Sequence, residues 1–190
     1  KWTTPRPTTR NAGAGVSARP RAPCSAPVFR DAPARCAAGV PGAAAARDAL
    51  RHAVTATAFA SLSLEPPMVL LALGRAGQLI GLVRSSGCVG LSILSADQED
   101  VGRRASTRGR APQRLVDEAL TTTALTGAPL LIGALAWFDC EVESISAHGD
   151  HAVIVGRVVA AASTEGDPLL YFARRYHRLG AQLGEEGVTR

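Results

Sequence analysis

The sequence predicts a mainly β fold, a barrel or a sandwich with a few short helices. Apolar runs of strand length occupy residues 68–73 and 89–94. Apolar and acidic residues alternate over 138–143, the period of a half-exposed strand. The turn residues A-H-G-D precede a valine-rich run over 151–160, which indicates a hairpin. Short strands with few long helices favour a β-barrel or sandwich.

Length and charge predict one folded domain with a separate basic extension. A chain of 190 residues can bury one ordinary core, and with only 4% aromatic residues that core must be mainly aliphatic. Residues 1–25 hold the whole net charge of +5 and are rich in proline, which predicts a disordered extension. We assign residues 26–182 to the folded domain and 183–190 to a tail. The domain is electrically balanced, so we expect no nucleic-acid binding by it.

The cysteines and the apolar runs predict a cytoplasmic protein. The four cysteines are widely spaced and lack the spacing of a zinc site, so free thiols in a reducing compartment are expected. No apolar run reaches the roughly 18 to 20 residues that span a bilayer. We therefore expect no bound metal and no membrane span.

The first half of the domain shows three predicted elements. Residues 28–40 have the apolar spacing of a short amphipathic helix. Pro66 and Pro67 end one apolar segment, and the strand over 68–73 follows. Leu79 and Val83, one turn apart, predict a helix over 78–84.

The second half begins with the strand over 89–94. Ser95 and Gln98 have the spacing of a capping box, which predicts a helix that begins there and continues to residue 104. Residues 105–127 are polar and irregular, which predicts a loop. A half-exposed strand over 132–144, the hairpin strand over 151–160 and a last apolar element over 168–172 follow.

Motifs for protein-based chemistry are missing from the sequence. Ser92 lacks the second glycine of a nucleophile elbow, and neither a phosphate-binding Walker loop nor a paired set of metal ligands occurs. A bound cofactor would therefore have to supply the reaction.

Five blocks in order carry a family resemblance: V-F-R-D-A-P-A-R-C-A-A-G-V from Val28, S-L-S-L-E-P-P from Ser61, A-D-Q from Ala96, G-A-L-A-W-F-D-C from Gly133 and G-D-H from Gly149. Together they resemble the flavin reductases that supply reduced flavin to two-component monooxygenases. The resemblance implies a Greek-key split β-barrel of the FMN-binding type, usually a homodimer. It also implies FMN or FAD, NADH or NADPH, and a separate oxygenase as partners.

The resemblance implies two groups of flavin-binding residues. The flavin ring and ribityl chain would lie against Thr55, Ala56, Thr57 and Ala58. The phosphate would lie against a later loop that contributes Ala72, Leu73, Arg75 and Gln78, with Arg75 as the charge partner. The alternatives are threonine at an ordinary strand edge and a solvated surface arginine.

The remaining candidates border the two cofactors. Asp97 and Gln98 would lie near the flavin, although helix capping explains them equally well. His151 would orient the nicotinamide or stabilise reduced flavin, rather than act as a nucleophile. A C-terminal cluster could complete the nicotinamide pocket or simply pack against the barrel: Tyr171, Arg174 and Tyr176.

Two departures from the family pattern leave other functions open. Residues 41–46 are P-G-A-A-A-A where the family has a Val/Thr strand, so a weakened core strand is expected. Ala76 and Gly77 replace hydroxyl residues of the phosphate loop. A flavin-binding protein without turnover is therefore an alternative to the reductase. A third class is a nucleic-acid or surface-binding module that uses residues 1–25.

Overall fold

The structure is a computed structural model that describes residues 39–48, 50–56, 58–106 and 121–180. The predicted extension over 1–25, the C-terminal tail and nearly all of the helix expected over 28–40 lie outside the described residues. Thr57, a candidate flavin contact, also lies outside them.

The described residues form strands, two α-helices and one 3-10 turn. In chain order these are β1 (Pro41–Arg47), β2 (Leu50–Thr55), β3 (Phe59–Leu64), β4 (Pro67–Gly74), α1 (Gln78–Ser86), β5 (Cys88–Ile93), the 3-10 turn Ala96–Gln98, α2 (Glu99–Ser106), β6 (Thr121–Thr123), β7 (Pro129–Leu131), β8 (Ala136–His148), β9 (His151–Ser163), β10 (Leu169–Phe172) and β11 (Arg175–Arg178). The strands expected over 68–73 and 89–94, the helix after residue 78 and the final apolar element are confirmed.

One antiparallel sheet with the strand order β2-β1-β5-β8-β9-β4-β3 forms the body of the molecule. Its two outermost strands, β2 and β3, are consecutive in the chain. The Ala56 N–H donates to the Pro41 carbonyl and the Ala72 N–H to the Ala58 carbonyl, each at 2.9 Å. The short connection between β2 and β3 therefore forms hydrogen bonds with β1, near one edge of the sheet, and with β4, near the other edge. The sheet must curl to allow both, as expected for the predicted split barrel.

The barrel core is mainly aliphatic, as the composition predicts. Its largest fully buried side chains include Leu71, Leu91, Ile154 and Phe138. Leu79 and Val83 of α1 are buried in the same cluster, so the helix packs against the core of the sheet. Each such side chain contributes about 1.5–3 kcal/mol by leaving water.

The expected weakness of residues 41–46 is wrong. They form β1, which pairs with β2 on one side and with β5 on the other. Ala43 and Ala45 are fully buried, and α1 packs beside the strand. Small side chains suit this position because a helix lies close to it, so packing overrides the low β-propensity of alanine. Pro41 takes the first position, where a proline interferes least with pairing.

Two further local signals, a helix cap and a turn, are confirmed, whereas one expected loop is not. Ser95 and Gln98 form the predicted capping box at the start of the 3-10 turn and α2. Gly149 and Asp150 make the tight β8–β9 turn, and Gly149 has a φ of 60°, which favours glycine. The expected loop over 105–127 is wrong at its start, where residues 105 and 106 belong to α2, and near its end, where Thr121–Thr123 pairs with β7 as β6. Residues 107–120 lie outside the described residues.

The alternation over 138–143 is wrong at Asp139, which is fully buried. Its carboxylate accepts hydrogen bonds from the Thr126 hydroxyl at 2.5 Å and from the Thr126 N–H at 3.0 Å. Thr126 belongs to the β6–β7 connection, which packs over this part of β8. A sequence period cannot show that another hairpin covers the outer face of a strand.

Asp139 is expected to make stability depend on pH. Burial raises the pKa of this carboxyl, although the hydrogen bonds from Thr126 oppose the shift. Between the ordinary pKa and the raised one, the folded protein keeps a proton that the unfolded chain has lost. The free energy of unfolding should therefore fall as pH rises through this interval. Asp139→Asn should remove that fall, as measured by urea unfolding at a series of pH values.

The matched control is Asp100→Asn, an exposed aspartate in the first turn of α2. This variant keeps Asp139 and should retain the fall in unfolding free energy. An Asp139→Asn protein with the same pH slope as the unmodified protein would contradict the assignment.

Candidate functional site

Three segments meet where β4 ends and β9 begins. Gly74 lies opposite His151 in the β4–β9 ladder, and Ala72 lies opposite Val153. Ala58 joins this end of β4 through its hydrogen bond with Ala72. The structure thus brings both predicted groups of flavin-binding residues next to His151, whereas the other candidates lie elsewhere.

The β2–β3 connection divides its predicted contacts between core and surface. Thr55 is the half-buried last residue of β2, opposite Gly42. Ala56 belongs to the core, and its N–H is already bonded to Pro41. Ala58 is exposed. Ala58 can therefore face a ligand, whereas the N–H of Ala56 is already used within the sheet.

The end of β4 shows the same division. Leu73 is 6% exposed and belongs to the core cluster, so its side chain is structural. Ala72 is half-buried on the opposite face of the strand.

The loop from β4 into α1 leaves the start of the helix open. Gly77 is the N-cap residue, and no side chain makes a capping hydrogen bond there. The first turn, which begins at the exposed Gln78, contains no acidic residue. Helix N–H groups without a side-chain cap, together with the positive end of the helix dipole, favour an anion.

Arg75 in this loop is bonded to the β8–β9 turn. Its N–H donates to the Asp150 carbonyl at 2.9 Å. Its Nη1 donates to the Gly149 carbonyl at 3.1 Å. The sequence predicted Arg75 as a phosphate contact and contained no sign of this second set of partners.

His151 is held by its neighbour. Its Nδ1 lies 2.7 Å from Asp150 Oδ1, and its side chain is 52% exposed. The hydrogen bond and charge of His151 lower the pKa of Asp150. A carboxylate can only accept, so Nδ1 carries the hydrogen and Nε2 is the position left for a ligand. Sequence reasoning missed this role of Asp150, although the G-D-H motif contains it.

Asp97 and Gln98 lie at the start of α2 and serve the fold. Gln98 Oε1 accepts from the Ser95 N–H at 3.1 Å, and its Nε2 donates to the Ile132 carbonyl at 2.7 Å. Asp97 pairs with Arg178 of β11 at 2.8 Å. These contacts favour the capping alternative for Gln98.

The C-terminal cluster is a hairpin packed on α2. Tyr171 and Tyr176 face each other across β10 and β11, with ring centroids 5.1 Å apart. Tyr176 packs near Gly102, and the Arg103 guanidinium lies 5.5 Å from its ring. Arg174 occupies the turn with a φ of 63°. Packing of Tyr176 against the body is therefore observed, while Tyr171 stays 46% exposed.

Within one chain, His151 and the C-terminal hairpin lie at opposite ends of β9. His151 begins this 13-residue strand, which spans roughly 40 Å when extended at about 3.3 Å per residue, and the hairpin follows its far end. The β2–β3 connection lies between them: Ala56 bonds to Pro41, and the adjacent Val40 bonds to Leu169 of β10. An elongated ligand along this connection would be needed to touch both groups.

The described part of the chain contains no cluster suited to a metal ion. No group of three or more His, Cys, Asp or Glu side chains comes close enough together there. Among the same residues, no helix combines the length and the apolar character needed to cross a membrane.

Comparisons with known proteins match the sequence and the fold. The reductase component of 4-hydroxyphenylacetate 3-monooxygenase from Thermus thermophilus is 36% identical over 152 residues, 80% of this chain and 95% of the relative. The NADH-dependent flavin reductase StyB of Pseudomonas fluorescens is 36% identical over 131 residues, 66% of this chain and 73% of the relative. The solved flavin reductase component BorF of a bacterial two-component tryptophan halogenase superposes with a TM-score of 0.71 at 33% identity, covering 76% of this chain and 92% of that one.

A family model agrees with these individual matches. The model described as "Flavin reductase like domain" matches residues 34–180, which include all of the described strands. The chain therefore belongs to the flavin reductase-like family.

Proposed function

We propose that this chain is an NAD(P)H-dependent flavin reductase, which transfers hydride to FMN or FAD and releases reduced flavin to a separate monooxygenase. The observation that supports it best is the meeting of His151, the open start of α1 and the β2–β3 connection at one end of β4. The printed names of the relatives, which include NADH-dependent flavin reductases and a monooxygenase reductase component, agree with this proposal.

The residues at this place fit a flavin nucleotide. The first turn of α1 has no acidic side chain to repel a phosphate, and Arg75 beside it retains donors beyond the one bonded to Gly149. Ala58 and Ala72 are small, adjacent and only partly covered. They leave room for a planar ring to approach the backbone.

When bound, the flavin and the nicotinamide nucleotide would supply the redox chemistry. The chain then has to hold the two groups at the right distance and exclude water. The N–H groups at the start of α1 would hold the phosphate, while Ala58 and Ala72 would border the ring. Asp150 fixes the imidazole of His151, so that Nε2 would be free to bond the nicotinamide amide. The mechanism asks no proton transfer of these residues.

We also propose a homodimer in the cytoplasm. Leu62 and Leu64 on the edge strand β3 are 49% and 41% exposed, which supports contact with a second copy. In such a dimer the exposed hairpin residues Tyr171 and Arg174 would complete a nicotinamide pocket. The buried free thiol of Cys88 agrees with a reducing compartment.

The reductase proposal predicts flavin-dependent oxidation of NADH or NADPH. Purified protein is mixed with FMN or FAD and each nicotinamide nucleotide, and the absorbance of the reduced nicotinamide is followed. We expect turnover that saturates with flavin. Tight flavin binding without oxidation would overturn the proposal and favour the non-catalytic flavin-binding alternative.

A further inference from the structure

Arg75 bonds the turn that precedes His151 at two points. Its N–H continues the β4–β9 ladder by one residue, from the Gly74–His151 pair to the Asp150 carbonyl. Its guanidinium reaches the next carbonyl, that of Gly149. Gly149 and Asp150 are otherwise exposed, and the Asp150 side chain is 94% exposed. The side chain of Arg75 thus ties an exposed turn to the β4–α1 loop.

The orientation of the His151 ring depends on this turn. Asp150 Oδ1 accepts from His151 Nδ1, so the position of the Asp150 backbone sets the direction of the imidazole. Arg75 fixes that backbone from the side of α1. A loss of the guanidinium would free the Gly149 carbonyl and allow the turn to pivot.

We infer that Arg75 is a positioning residue for His151, which acts through the Gly149–Asp150 turn and is not only an anion ligand. The inference rests on the proposed function, since it deepens the role of that site. It also implies coupling: the loop that would hold the flavin phosphate and the histidine that would face the nicotinamide form one hydrogen-bonded unit. A shift of the phosphate loop would then move the imidazole of His151, even if no ligand contacts both.

The test compares FMN with riboflavin, which has the same ring but no phosphate. Arg75→Ala is assayed for kcat/KM toward NADH with each flavin at saturation. A positioning role predicts a loss of roughly tenfold with both flavins, because a misplaced imidazole does not depend on phosphate. Loss with FMN and none with riboflavin would overturn the inference and leave Arg75 as a phosphate ligand. Arg84→Ala, an exposed arginine at the end of α1, is the matched control and should match the unmodified protein with both flavins.

A second measurement needs no turnover. In the free protein, nitrogen NMR shifts of the His151 ring, assigned by their absence in His151→Gln, should report a hydrogen held on Nδ1. In Arg75→Ala these shifts should move toward a mixture of tautomers, and Arg75→Lys should restore them only in part, because a lysine offers a single ammonium on a flexible stem. Unchanged ring shifts in Arg75→Ala would overturn the inference. Failure of the unmodified protein to oxidise NADH with either flavin would instead count against the proposed function.

Discussion

Gly90→Ala is expected to destabilise the protein by about 3 kcal/mol, near the upper end of the usual cost of overpacking. A Cβ at this position of β5 would lie 2.3 Å from the Pro129 carbonyl oxygen and 3.0 Å from Leu130 Cδ2. The first neighbour is backbone, so β7 would have to move away from β5. The hairpin that contains Thr126 would move with it, and Asp139 would lose its partner. Thermal and urea unfolding measure the loss.

The control for this prediction is another glycine of the same chain. Gly81 lies inside α1, and a Cβ added there would meet no atom from outside its own helix within 4 Å. Gly81→Ala should stabilise the protein by roughly 0.5–1 kcal/mol, because alanine favours a helix. Equal stability of the two variants would show that β7 does not constrain β5.

His151→Ala should lower kcat/KM for NADH by about 100-fold, the scale expected when a group that orients the reactants is lost. Flavin affinity, followed by quenching of flavin fluorescence, should change little, because the proposed phosphate contacts lie on α1 and its loop. Stopped-flow reduction of bound flavin separates the hydride step from product release.

His148 offers a closely matched control. It lies directly opposite His151 across the β8–β9 turn and is also exposed, but it bonds to Ser146 Oγ at 2.9 Å. His148→Ala should leave turnover near that of the unmodified protein. If both variants lost activity to the same extent, the effect would come from the turn and not from the imidazole of His151.

Features of the fold that depend on residues close in sequence were predicted correctly. Features that depend on packing between distant segments were not. The Ser95–Gln98 capping box and the Gly149–Asp150 turn involve residues close in sequence, so their chemistry is readable directly. The strand nature of β1 depends on α1 packing beside Ala43 and Ala45. The sequence close to residue 43 gives no information about that helix, which begins at Gln78.

The candidate site was predictable only through the family resemblance. Composition and spacing alone left His151 as one histidine among four. The contact of Arg75 with Gly149 depends on the register of β4 against β9, strands separated by more than 70 residues, and no local pattern encodes a register. The burial of Leu73 and Ala56 likewise depends on how their segments are placed in the sheet, which no local pattern encodes.

The placement of β2 and β3 at opposite edges of one sheet has a consequence for assembly. Each strand can pair early with its neighbour in the chain, β2 with β1 and β3 with β4, but β5, β8 and β9 must insert between these two hairpins before the sheet is complete. Such long-range pairing is slow compared with hairpin formation. The site beside Ala58 and Ala72 is therefore among the last features to form, and a ligand captured there during refolding would report a fully assembled sheet.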